Sequence, residues 1–232
     1  MKIEVLADSD SVARTAAAMI AEHARAAVVA RGRFIVGVSG GQTPGAMLRL
    51  LAGEDVPWRS VHVVQVDERI APADHPERNL TGLRESLRNS PLRPEHIHAM
   101  PVEAPDLGVA AGRYSELLRT IAGIPPVLDV AHLGLGADGH TASLVPGDLI
   151  LGVTDTDVAL TGDYGGRRRM TLTVPMLNRS RRILWVVTGI EKADALAGLC
   201  DGDRSIPAGL IRRDHALLLA DRAAAGKVTA RG

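Results

Sequence analysis

The chain has 232 residues, is 46% hydrophobic, and carries 27 basic and 27 acidic side chains, so its formal net charge is zero. Neutrality argues against a nucleic-acid or membrane-surface partner, each of which favours a basic face, and aromatic residues at 2% leave almost no platform for stacking bases. The single cysteine, Cys200, excludes an internal disulfide framework and suits a reducing cytoplasm.

Residues 3–6 read as a short strand leading in from Met1, with no apolar run of the signal-peptide kind, so export is not expected. No stretch approaches the roughly 18 consecutive apolar residues of a membrane span. Asp8 and Asp10 supply capping oxygens for an Ala-rich helix that runs to about residue 31. Residues 34–38 form a continuous apolar strand ending in Ser39-Gly40-Gly41. Thr43 is expected to cap the next helix, with Pro44 at its first position and Met47, Leu48 and Leu51 on its inner face. A strand over 61–66 ends in Asp67-Glu68-Arg69. Two prolines make 71–79 a loop, and helices are expected at about 80–88 and 109–122. Residues 127–133 read as a central strand, with further strands at 157–161, 170–174, 183–187 and 216–219 and a helix at 191–199. Strands that alternate with helices, and whose apolar runs do not alternate, imply a mainly parallel sheet covered on both faces. The expectation is a three-layer α/β/α, Rossmann-like domain over residues 1–232, with a small excursion around 91–105.

Chemistry concentrates where strands end. After the central strand comes Gly134-Leu135-Gly136-Ala137-Asp138-Gly139-His140-Thr141-Ala142-Ser143, in which a carboxylate and an imidazole stand two residues apart. Ligands of open α/β sheets bind beyond the carboxyl ends of the strands, and histidine titrates near the pH where a general base works best. Gly134, Gly136 and Gly139 also match a dinucleotide fingerprint, but Pro146 and Gly147 interrupt the long helix that motif must open. Ser39, Gly40, Gly41 and Thr43 make a Gly-rich strand-to-helix turn suited to an anion, with two hydroxyls to add donors. It is no Walker A loop, since no Gly-Lys-Ser/Thr follows. Gly37-Val38-Ser39-Gly40-Gly41 also fits a serine nucleophile elbow, although no His-Gly-Gly segment lies upstream to form an oxyanion hole. Asp67 can orient a histidine or water, and Arg69 beside it can fork onto a phosphate or carboxylate. In Arg167-Arg168-Arg169 the residue nearest the following strand, Arg169, is the candidate anion ligand, with Lys192 a weaker one. One cysteine and no His-Glu-x-x-His give zinc no support, and no metal or cofactor is expected.

Taken in order, Ser39-Gly40-Gly41-Gln42-Thr43-Pro44, Asp67-Glu68-Arg69, Asn79, the Gly134–Leu144 block and Arg169-Met170-Thr171-Leu172-Thr173-Val174-Pro175 resemble the 6-phosphogluconolactonase family. The resemblance spans nearly the whole chain. It implies hydrolysis of 6-phospho-D-glucono-1,5-lactone to 6-phospho-D-gluconate in the oxidative pentose phosphate route, with no cofactor, in the cytoplasm, by a monomer or weak homodimer. His140 would activate water, and Asp138 or Asp67 would hold its tautomer. N–H groups near Gly136 would face the oxyanion. The phosphate would lie at Ser39–Thr43 with Arg169 and Lys192, and Arg69 and Asn79 would share the crevice. Glucosamine-6-phosphate deaminases of the same superfamily are the alternative. Their block resembles Asp-Gly-His-Ile-Ala-Phe-Asn-Glu-Pro, and the position of its catalytic Glu is Val145 here. They also carry Asp-Glu-Tyr where this chain has Arg69. Val145 for a common Phe and Gln42 for a common Ser are the departures from the lactonase pattern. A sugar-phosphate-sensing domain of a regulator is a third reading, but the chain shows no basic helix–turn–helix and would leave His140 idle.

Overall fold

A computed structural model describes residues 1–228. Its strands are β1 (Lys2–Leu6), β2 (Phe34–Val38), β3 (Val61–Gln65), β4 (Asp67–Arg69), β5 (Ile97–His98), β6 (Val130–Leu133), β7 (Val158–Leu160), β8 (Arg169–Leu172), β9 (Arg182–Val187) and β10 (Ala216–Asp221). The main helices are α1 (Ser9–Arg31), α2 (Gln42–Leu51), α3 (Asn79–Leu87), α4 (Leu107–Ala122), α5 (Val174–Asn178) and α6 (Ala193–Asp201).

Seven strands form one sheet in the order β1-β10-β9-β6-β2-β3-β5, and every neighbouring pair is parallel. Successive side chains of a strand face opposite sides, so each central strand feeds two cores. On β9, Ile183, Trp185 and Val187 join the core under α4, α5 and α6, while Leu184 and Val186 join the core under α1, α2 and α3. That double burial is why the strands read as unbroken apolar runs. Strand order reverses between β2 and β6. From β2 the sheet continues outward through β3 and β5, and from β6 the other way through β9 and β10. The loops leaving these two neighbours diverge and open a crevice at the carboxyl end of the sheet.

Several local expectations change. Residues 67–69, 157–161 and 170–174 do not extend the main sheet. They supply β4, β8 and β7, a separate antiparallel sheet of three strands. The strand at 170–174 stops at Leu172, and Val174-Pro175 opens α5. The excursion around 91–105 contributes β5, a two-residue strand at the sheet edge. Asp8 caps α1 as expected, accepting from the Ser11 N–H at 2.8 Å. Thr43 does not cap α2. The helix starts at Gln42 with Gly41 as N-cap, Pro44 lies in its third position, and the Thr43 hydroxyl bonds that of Thr188 at 2.9 Å. Among the described residues no helix is long and apolar enough to cross a membrane.

Candidate active site

The crevice is a pocket of about 160 Å³. Ser39 and Gly40 enter it from the turn after β2, and Gly134, Leu135, Gly136 and His140 from the turn after β6. Asp67 and Arg69 reach it from β4, Asn79 from the start of α3, Arg169 from β8, and Lys192 from the short helical turn before α6. Gly41 lines an adjoining pocket of about 540 Å³ that shares Ser39, Gly40, Arg69 and Asn79. Thr43 lines neither pocket, because its hydroxyl is turned to Thr188.

His140 is held by Asp138. Oδ1 of Asp138 lies 2.6 Å from His140 Nδ1 and accepts the His140 N–H at 3.1 Å. A carboxylate at Nδ1 places the hydrogen there and leaves the Nε2 lone pair of the neutral ring free. Burial works against the Asp138 charge, but the two His140 hydrogen bonds outweigh it and hold its carboxyl below the usual carboxylate range. Tyr164, which sequence reasoning missed, donates from its hydroxyl to Asp138 Oδ2 at 2.9 Å. The Asp–His pair packs directly on Gly136. A β-carbon there would overlap His140 Nδ1 and come within 2.6 Å of Asp138 Oδ1. The Gly136 N–H itself donates to the His140 carbonyl at 2.8 Å, so it is committed to closing the turn and is no oxyanion donor.

Asp67 is not the partner of His140. Its Oδ2 accepts from Ser143 Oγ at 2.6 Å and its Oδ1 from Asn79 Nδ2 at 3.2 Å. Burial raises its pKa above the ordinary carboxylate value, against the pull of Ser143 and Arg169. Glu68, next in the strand, points to the opposite side and is fully buried. It accepts from Gln65 Nε2 (2.9 Å) and from the N–H groups of Arg69 (2.8 Å), Asn79 (2.8 Å) and Leu80 (2.9 Å). Arg78 Nε adds an ion pair at 3.1 Å. Glu68 thereby serves as the remote cap of α3, whose own N-cap side chain makes no capping bond. This cap fixes Asn79, and Gly40 lies so close that a β-carbon there would overlap the Asn79 carboxamide.

The three arginines part company. Arg167 pairs with Glu77 at 2.7 Å, and Arg168 Nε donates to the Thr161 carbonyl at 3.2 Å. Arg169 lines the crevice opposite Arg69, its partner in strand register. Its Nε is buried without a hydrogen-bond partner, and burial lowers its pKa. A half-buried guanidinium lining a pocket is suited to an anionic group. Arg69 Nη1 is anchored to the Glu77 carbonyl (2.6 Å) and Asn79 Oδ1 (3.0 Å). Lys192 meets Glu191 only at 3.9 Å.

The elbow reading of Ser39 fails on geometry. The Ser39 hydroxyl donates to the His132 carbonyl at 3.1 Å, and the ring of His132 accepts the Ser39 main-chain N–H at 3.3 Å. Burial pushes His132 down to about 4, so this neutral ring meets Ser39 at the backbone and not at Oγ. Val145 is buried and, having no titratable group, can transfer no proton. Among the described residues no group of three or more His, Cys, Asp or Glu side chains is arranged to hold a metal ion.

Residues 7–219 match the family model for glucosamine-6-phosphate isomerases/6-phosphogluconolactonase. The chain is 34% identical to a 6-phosphogluconolactonase from Nostoc sp., over 97% of this chain and 96% of that protein. The structure of a 6-phosphogluconolactonase from Thermotoga maritima superposes with a TM-score of 0.84 at 27% identity, covering 95% of this chain and 98% of the other. A monomeric glucosamine-6-phosphate deaminase has the same fold, with a TM-score of 0.84 at 21% identity over 98% of this chain and all of its own. Fold alone therefore does not separate the two activities; the residues of the crevice must.

Proposed function

The chain belongs to the glucosamine-6-phosphate isomerase/6-phosphogluconolactonase family, and from that premise we propose that it hydrolyses 6-phospho-D-glucono-1,5-lactone to 6-phospho-D-gluconate with His140 as the base that activates water. The observation that carries the mechanism is the 2.6 Å contact between Asp138 Oδ1 and His140 Nδ1 at the rim of a pocket rich in cations.

Nε2 of the neutral ring takes a proton from water as the water oxygen attacks the lactone carbonyl. The C–O bond to water forms and the carbonyl electrons move to oxygen. Asp138 stabilises the imidazolium that results. The tetrahedral intermediate then collapses, the ring C–O bond breaks, and the imidazolium returns its proton to the departing ring oxygen. The product is an open-chain acid, and the histidine ends neutral. Arg69 and Lys192 face the growing negative charge. The phosphate binds at the mouth, where the Gly40-Gly41 turn opens α2 and leaves its first N–H groups without helical partners, with Arg169 beside it. Ser39 shapes the floor and donates no proton, and Thr43 supports the turn through Thr188. Asp67 positions Asn79 and Ser143. The apolar Val145 and the cationic Arg69 favour lactone hydrolysis over amino-sugar isomerisation.

Freshly generated lactone hydrolyses unaided, so the test compares the enzyme with a no-enzyme control and follows ammonia release from glucosamine 6-phosphate in parallel. Rapid lactone loss without ammonia is expected. Ammonia release without lactone hydrolysis would move the assignment to the deaminases.

A further inference from the structure

Tyr164 touches both the Asp138–His140 pair and Arg169. It lies in the loop between β7 and β8, where Gly165 and Gly166 adopt positive φ (65° and 78°) and turn the chain back, so that the Tyr164 N–H reaches the Arg167 carbonyl at 3.0 Å. Its hydroxyl donates to Asp138 Oδ2 (2.9 Å) and stands 3.4 Å from His140 Nδ1. Its ring meets the His140 ring edge-on, with centroids 5.5 Å apart and planes at 64°. The guanidinium of Arg169 sits over the ring face, 4.9 Å from its centroid.

We propose that Tyr164 is a positioning residue that sets the basicity of His140 through Asp138 and seats Arg169 for the substrate phosphate. The proposal deepens the lactonase reading and rests on it for its kinetic consequences. The two oxygens of Asp138 are divided, Oδ1 to the imidazole and Oδ2 to the phenol. A phenol that donates to the carboxylate draws charge away from it. It thereby weakens the stabilisation of the imidazolium. Burial, and then Asp138 itself, push the phenol up from its ordinary value, so it keeps its proton and remains a donor. The other charged groups facing His140 across the crevice are Asp67 and Arg69 of β4, Arg169 of β8 and Lys192 ahead of α6. None of them hydrogen-bonds the Asp138 carboxylate. At the other end, the ring face gives Arg169 a cation–π seat that holds its guanidinium at the crevice wall.

Two variants separate the two roles. Tyr164→Phe removes the hydroxyl and keeps the ring; Tyr164→Leu removes both. The first readout needs no substrate. A ¹⁵N-edited NMR titration follows the His140 ring in the resting protein, with its signals assigned by their loss in His140→Ala. Tyr164→Phe should raise the His140 midpoint by roughly half a unit to one unit. An unmoved midpoint overturns the proposal. In lactone hydrolysis the acid limb of kcat/KM should shift upward in step, with kcat at pH 6 down about three- to tenfold and KM unchanged. Tyr164→Leu should add a rise in KM of about three- to tenfold. Equal KM values in the two variants would remove Arg169 from the scheme. A midpoint that moves without its rate profile would leave Tyr164 as the positioning residue of His140 and refute His140 as the base.

Discussion

Glu68 and Asp138 are both carboxylates placed at the carboxyl end of the sheet, and they are treated in opposite ways. Glu68 is fully buried, receives four hydrogen bonds and the Arg78 ion pair, and has no route to a ligand. Asp138 has a side chain 38% exposed and holds a histidine that is 27% exposed at the edge of a pocket. Saturation makes the Glu68 knot a scaffold, because both carboxylate oxygens are already taken by donors from within the fold. In the crevice some groups remain unspent: the Nε2 lone pair of His140, the Nε of Arg169 and the ammonium of Lys192. The strand alternation of β4 draws the boundary, since Asp67 and Arg69 face the pocket while Glu68 faces away.

If that division is right, damage to the knot should appear in stability and damage to the crevice in kinetics. Glu68→Ala removes the partner of the Arg78 Nε, whose Nη1 still holds Glu103 and the Ala71 carbonyl, and it uncaps α3; the change should cost about 2–4 kcal/mol in urea unfolding. An unchanged unfolding midpoint would break the comparison. Gly136→Ala drives a β-carbon into the Asp138–His140 pair and should lower kcat about 10²-fold, the scale of a 1 Å misplacement, while the unfolding midpoint shifts far less than in Glu68→Ala. Arg169→Ala should raise KM about tenfold with kcat nearly kept, because a phosphate grip is shared by ground and transition states. Steady-state kinetics on the lactone would show it.

The smallest effect concerns sign. Asp138 titrates below its unfolded value, so its contribution to stability is full above about pH 4 and is lost as the pH falls further. Asp67 titrates above its unfolded value, so its contribution is full at low pH and declines as the pH rises through the raised value. Urea midpoints of Asp138→Asn and Asp67→Asn at pH 3, 5 and 7 should therefore diverge. The deficit of Asp138→Asn relative to wild type grows with pH, and that of Asp67→Asn shrinks. Parallel trends would contradict the assigned environments.

The main sheet was legible because its strands are buried on both faces and carry uninterrupted apolar runs. Two strands of the small sheet, at 157–161 and 170–174, were legible as strands but not as a separate sheet, and Asp67–Arg69 was not, because three residues give too short a pattern to separate from the strand before them. The start of α2 lies two residues earlier than Pro44, at Gln42, since Thr43 looks like a cap and the backbone of Gly41 does that work. Asp138 and His140 stood out because strand end, glycines and titratable side chains coincide. Tyr164 did not, because it lies 26 residues further along the chain than Asp138 and only the turn before β8 folds it back. Glu68 was legible as a member of its motif but not in its role. Only the paired strand shows which of three adjacent charges turns inward.

The measurement that bears most directly on this division is turnover and urea unfolding of His140→Ala, made on the same preparation beside wild type and a no-enzyme control. Turnover on the lactone should fall about 10²–10⁴-fold with the unfolding midpoint moved far less than in Glu68→Ala. Wild-type turnover in that variant would contradict the account, because the crevice would then work without the group around which it is built.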